Sequence, residues 1–223
     1  SYKDLLFDSN INNEKQLRQM LHNVSEQPDD IDKDGITDFL DTLSYPIYFL
    51  DFETMQPVIP QFPGTKPYAQ IPFQYSLHYI EYEGGPLLHK EFLAESGTNP
   101  LRAIAERLCE DIPMNVCVTA YNKAFECTRL KELAELFPDL AEHLLNIDSS
   151  IKDLLVPFQS GYYYNKAMGG SFSIKSVLPA LFPNEPSLDY HNLEQIHNGG
   201  EAMSIFPKIA KWTLLPWLKY GKN

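Results

Sequence analysis

An apolar run that ends abruptly in acid sets most of what this chain can become. Residues 45–50 read Tyr-Pro-Ile-Tyr-Phe-Leu and are followed at once by Asp51-Phe52-Glu53-Thr54. A segment apolar at successive positions has to be covered on both sides, so it reads as a buried β-strand. Side chains alternate along a strand, so Asp51 and Glu53 point one way while Phe52 turns back toward the core. Two like charges on one side of a strand end repel each other unless a cation offsets them. In most sequences such a pair is only a solvated strand terminus; it becomes a site when other parts of the chain bring further donors to it.

The surrounding pattern supplies a frame for that strand. Residues 73–81 alternate, and residues 87–94 follow the Gly84-Gly85 turn, which predicts an antiparallel meander with 45–53. The connection over 56–72 contains five prolines and Gly64, a length that is uncommon in a compact domain unless it serves a site. Residues 100–112 place Leu101, Ile104, Ala105 and Leu108 at helical spacing. Residues 116–121 form a continuously apolar fourth strand, and 124–137 a second helix with Leu130, Leu133, Ala134 and Phe137 inward, stopped by Pro138. The layout is α/β, with a mixed sheet centred on the first and fourth strands and helices flanking it.

Upstream, 12–22 has the spacing of a short helix, broken at Gln27-Pro28-Asp29. Residues 30–41 match the calcium-loop pattern at Asp30, Asp32, Asp34, Gly35 and Asp38, but Asp41 stands at its last position and Thr37 at its eighth. Ile36, Phe39, Leu40 and Leu43 at helical spacing favour instead a helix capped near Asp34. The expected organisation is a helical, acidic lead-in over 1–44, one main domain over 45–212 and a tail over 213–223, with room for a larger polypeptide around it.

Composition narrows the function classes. The chain has 223 residues, 43% hydrophobic, with 13 Tyr and 13 Phe, and no apolar run approaches the ~20 residues of a membrane span. Cys109, Cys117 and Cys127 form no Cys-x-x-Cys pair and read as reduced thiols, so a cytoplasmic protein without membrane contact is expected. Thirty acids against 18 bases give a net charge of −12, which speaks against sequence-independent binding to a phosphate backbone. It leaves room for an enzyme that gathers carboxylates around cations, with Lys66, Lys123, Lys166 and Lys175 as candidates for a local basic rim.

Tyr121-Asn122-Lys123-Ala124-Phe125-Glu126 follows the fourth strand and opens a helix. Asn122 is a candidate N-cap, and Glu126 lies in the first turn, where the helix dipole favours a carboxylate. The Asp-x-Glu-Thr after one strand, with Asn-x-x-Phe-acid at a strand-to-helix junction about seventy residues later, resembles the first two motifs of the DnaQ-like DEDD 3′-5′ exonucleases of the ribonuclease H-like fold. The stretches Tyr48-Phe49-Leu50-Asp51-Phe52-Glu53-Thr54, Ile71-Pro72-Phe73-Gln74-Tyr75-Ser76 and Gly170-Ser171-Phe172-Ser173-Ile174-Lys175 are similar to an uncharacterised bacterial domain family of that superfamily, over roughly residues 45–210.

The resemblance implies a site made of Asp51, Glu53, Glu126 and Glu201, holding two Mg²⁺ or Mn²⁺ ions, with His197 as general base. Family members carry Asp at the second motif, where this chain has Glu126. The third motif is matched by His197-Asn198-Gly199-Gly200-Glu201, with Asn198 as a competing neutral ligand and His191 as a competing base. Thr54, Asn122 and Lys175 would contact substrate. Asp148 resembles a segment between the second and third motifs and reads as a cap or supporting residue. Tyr162, Tyr163 and Tyr164 could stack exposed bases or line the rim of a core. The implied activity is metal-dependent release of nucleotides from a single-stranded 3′ end, of DNA or RNA. The alternative is a catalytically weak or inactive nuclease-like module that binds nucleic acid or a protein partner.

Overall fold

A computed structural model of the chain describes residues 14–24, 29–185 and 188. In chain order the elements are α1 (Glu14–Val24), β1 (Asp29–Ile31), α2 (Lys33–Leu40), β2 (Ile47–Met55), β3 (Ile71–Ile80), β4 (Leu88–Leu93), α3 (Leu101–Asp111), β5 (Cys117–Ala120), α4 (Ala124–Leu136), α5 (Ala141–Ser150), β6 (Ile151–Asp153), α6 (Val156–Gln159), β7 (Tyr163–Asn165), a 3₁₀ turn (Lys166–Met168) and α7 (Ile174–Leu181). They divide into two compact units: Leu43–Asp153, and the described residues of 1–42 and 154–194.

The larger unit is built on a five-stranded sheet in the order β4-β3-β2-β5-β6. β3 is antiparallel to both β2 and β4, while β5 runs parallel to β2 and β6 parallel to β5. Hairpins make the antiparallel steps; the parallel steps need crossovers, which α3 and the α4–α5 pair supply. This mixed α/β sheet with flanking helices is consistent with a ribonuclease H-like arrangement.

Strand alternation sorts the sheet into two faces. Tyr48, Leu50 and Phe52 of β2, with Phe73, Tyr75 and Leu77 of β3, join one core with Ile104, Leu108, Leu130, Leu133, Leu144 and Ile147 from the helices. The opposite face carries Asp51 and Glu53 on β2, Gln74, Ser76 and His78 on β3, and His89 and Glu91 on β4. Leu101, Ile104, Ala105 and Leu108 are buried on α3 as their spacing predicts, and that face also buries Asp111.

Asp111 is the polar pin of this core. The buried Tyr75 hydroxyl donates to its carboxylate at 2.6 Å, and Lys90 and Arg107 approach it at 3.3 and 3.1 Å. Burial and the bond to Asp111 together push the Tyr75 hydroxyl far above its ordinary pKa, so it stays a donor.

In the smaller unit, β1 pairs antiparallel with β7, and Tyr163 Oη and Asn165 Nδ2 both donate to Asp29 at 2.7 Å. Tyr164, Met168, Val177 and Ala180 form its core, with His22 edge-on to Tyr164. The acidic segment over 30–41 is thus the end of a strand and a helix. The cap is Asp32, whose carboxylate accepts from the Gly35 amide at 3.0 Å, two residues before the expected position. A Cβ at Gly35 would lie 2.6 Å from the Tyr162 ring, so this close approach requires glycine. The tyrosine run therefore packs and hydrogen-bonds within the unit instead of offering a row of open ring faces.

Replacing Asp111 by Ala should strand the Tyr75 hydroxyl in the core and lower stability by about 2–4 kcal/mol. Urea denaturation measures this, and an unchanged midpoint would contradict it.

Candidate active site

The site begins with the pairing of β2 and β5. Their register sets Ile47 beside Cys117 and Phe49 beside Thr119, so the two parallel strands deliver their carboxyl ends to one edge of the sheet. β2 runs on through Asp51 and Glu53, and β5 passes through Tyr121-Asn122-Lys123 into α4. Asn122 turns the chain in the left-handed region at φ 62°, which asparagine tolerates better than most residues.

Asn122 is not the side-chain cap that the sequence suggests. Lys123 occupies the cap position and makes no side-chain cap bond. The backbone N–H groups of Asn122 and Lys123 donate instead to the two carboxylate oxygens of Asp153, at 2.8 and 3.2 Å. Asp153 stands at the end of β6, beside Ala120 of β5. A further acid thus reaches this edge from a third parallel strand. Sequence reasoning missed it because a three-residue strand has no visible periodicity, and its role depends on a pairing thirty residues away in the chain.

Glu126 sits in the first turn of α4 and is buried. Its Oε2 has no hydrogen-bond partner. Burial pushes its carboxyl up to about 7, with the charges of Asp51 and Asp153 adding in the same direction and its own backbone amide and Arg129 opposing them. Asp51 is accessible at its surface yet hemmed in by surrounding protein, and this desolvation raises its carboxyl too. Glu53 is raised by burial and then by Asp51. Asp51 is therefore felt at both Glu53 and Glu126, and residue 126 shares the electrostatic environment of residue 51. Among the described residues, no group of three or more His, Cys, Asp or Glu side chains is close enough to hold a metal ion by itself.

Other expected residues fall in several places. Thr54 is buried, and its hydroxyl donates to Gln70 Oε1. Gln70 lines a groove of about 420 Å³ between the β2–β3 connection and α4, whose charged lining is Lys66, Arg129, Glu132 and Glu135. Arg129 is itself buried, its Nε bonded to Glu132 at 2.8 Å and its guanidinium 5.1 Å from the Phe125 ring. Lys123 Nζ donates to the Ile151 carbonyl at 3.0 Å, and Asp148 lies 3.5 Å from Lys131 on the facing helix. Lys166 and Lys175 belong to the smaller unit. His191, His197, Asn198 and Glu201 lie outside the described residues.

Residues 48–173 match the family model described as Domain of unknown function (DUF2779). The chain belongs to the DUF2779 family. No curated protein and no solved structure matches it. The match takes in Asp51, Glu53, Asn122, Glu126 and Asp153, so the whole described acid edge lies inside the DUF2779 domain. Among the described residues, no helix is long and apolar enough to cross a membrane.

The raised Glu126 has a consequence for stability. From about pH 4.5, where an unfolded glutamate ionises, to about 7, the folded chain keeps a proton at Glu126 that the unfolded chain has lost. Stability contributed at this position therefore falls as pH rises through that window. Glu126→Gln keeps the shape without the charge and should exceed the parent in stability at pH 8 by up to about 3 kcal/mol, with the difference vanishing below pH 4.5. Urea denaturation at the two pH values measures it; a variant less stable than the parent at pH 8 would contradict the assignment.

Proposed function

We propose that this chain is a DnaQ-like DEDD phosphodiesterase, a metal-dependent 3′-5′ exonuclease acting on single-stranded nucleic acid. The observation that supports the reading is the buried, unpartnered oxygen of Glu126, on a carboxyl that burial raises and to which the charge of Asp51 adds. The donor chemistry fits a hard divalent cation. All the donors are oxygens, and their mutual repulsion is what a cation would offset. Mg²⁺ commonly takes one or two carboxylates and completes its octahedron with water and substrate phosphate, so a full protein cage is not required.

Asp51 and Glu126 would hold the ion, with Glu53 beside them and Asp153 fixing the turn that presents Glu126. A bound ion of this kind supplies Lewis-acid polarisation of the phosphate and charge stabilisation in the transition state. Glu201 as the further acid and His197 as the general base belong to the same proposal. The adjoining groove carries Lys66 and Arg129 together with Glu132 and Glu135, so its charges balance and it adds no cationic surface to the site.

One observation favours the alternative of a nuclease-like binding module: among the described residues no three acids gather at ligating distance. A labelled single-stranded oligonucleotide incubated with the protein in Mn²⁺ and in EDTA separates the two. The exonuclease reading expects mononucleotides in Mn²⁺ only, and a roughly 100-fold slower reaction for a folded Asp51→Asn variant. Binding without turnover would support the module, and a variant as fast as the parent would refute the proposed site.

A further inference from the structure

We propose that Ser76, His78 and His89 form a phosphate-binding strip on the sheet face that carries Asp51, holding the substrate strand beyond the scissile bond. This rests on the phosphodiesterase reading and extends it to a subsite. The register sets Asp51 directly opposite Ser76 across the β2–β3 pair. Across the β3–β4 pair it sets Ser76 opposite Glu91 and His78 opposite His89. Ser76 Oγ and His89 Nε2 are hydrogen-bonded at 3.1 Å, and the two imidazoles stack with centroids 4.3 Å apart.

These three side chains contribute nothing to the core. Ser76 and His78 are half-buried and His89 is exposed, on the face opposite Tyr75 and Leu77. The Ser76–His89 bond uses one proton of that pair and leaves one O–H or N–H to donate, beside the N–H of His78, so donors are held in fixed positions on this face. Such donors suit a chain with a net charge of −12, which cannot rely on a broad basic surface to hold phosphates. Asp51 and Glu91 border the strip, so the donors also set where along an otherwise acidic face a phosphate can rest.

Distance decides between binding and proton transfer. Adjacent strands lie ~4.8 Å apart, so β4 stands ~9.6 Å from β2. A general base must come within about 3 Å of the proton it takes. His89 Nε2 meets Ser76 on β3, one strand short of Asp51, so its place is at a neighbouring phosphate. It is a positioning residue.

Fluorescence anisotropy of a labelled single-stranded oligonucleotide, measured in EDTA so that nothing is cleaved, tests the strip directly. Ser76→Ala and His89→Gln should each weaken binding about fivefold to tenfold, as expected for the loss of one well-placed hydrogen bond to a charged group. In Mn²⁺ the same variants should raise KM while kcat holds, a split that a loss of folding would not give. Weakened binding in the variants of a chain that cleaves nothing would sustain the strip and sink the nuclease reading. Cleavage with unchanged binding and KM in the variants would overturn the strip alone, as would a parent that binds no oligonucleotide in EDTA.

Discussion

The parallel pairing of β2 with β5 is the constraint on which the candidate site depends. It is short, spanning Ile47–Phe49 against Cys117–Thr119. Yet it alone brings the carboxyl ends of two strands from distant parts of the sequence to one edge. The crossover through α3 makes the step possible, and the core between α3, α4 and the sheet holds it in register. β6 repeats the step on the far side of β5 and adds Asp153. Without that order, Asp51 and Glu126 would be two unrelated surface acids.

The edge so formed works against folding. Burying Glu126 with an unpartnered oxygen, near the charges of Asp51 and Asp153, is unfavourable at neutral pH. The first turn of α4 and the nearby Arg129 ease the strain only in part. Proteins keep such arrangements where the group has a task, and raised carboxyls in a shared environment are a mark of functional sites. A structural acid looks different. Asp111 is equally buried, but Tyr75, Lys90 and Arg107 surround it with donors, and its arrangement holds the core together.

Much of the larger unit was legible in the sequence because its elements carry strong periodicity. The alternating β3, the continuously apolar β5 and the helical spacing in α3 and α4 needed no tertiary information. Asp51 and Glu53 were legible because they follow the apolar run of β2 and alternate with the inward Phe52, and Glu126 because it opens the helix after the apolar β5. What was hidden depends on contacts between distant residues. β6 and β7 are three residues long, Asp153 matters only through two amide hydrogens thirty residues away, and the tyrosine run found partners in Asp29, Gly35 and His22. The His78–His89 pair was equally invisible, since it exists only once β3 and β4 are in register.

The central claim is that Asp51 and Glu126 are two parts of one cation site. Titration calorimetry with Mn²⁺ on the intact chain tests it most directly, since it asks nothing of the substrate. The account predicts saturable binding by the parent, weakened at least about tenfold by either Asp51→Asn or Glu126→Gln. A parent that takes up no Mn²⁺, or variants that bind it as tightly as the parent, would contradict it.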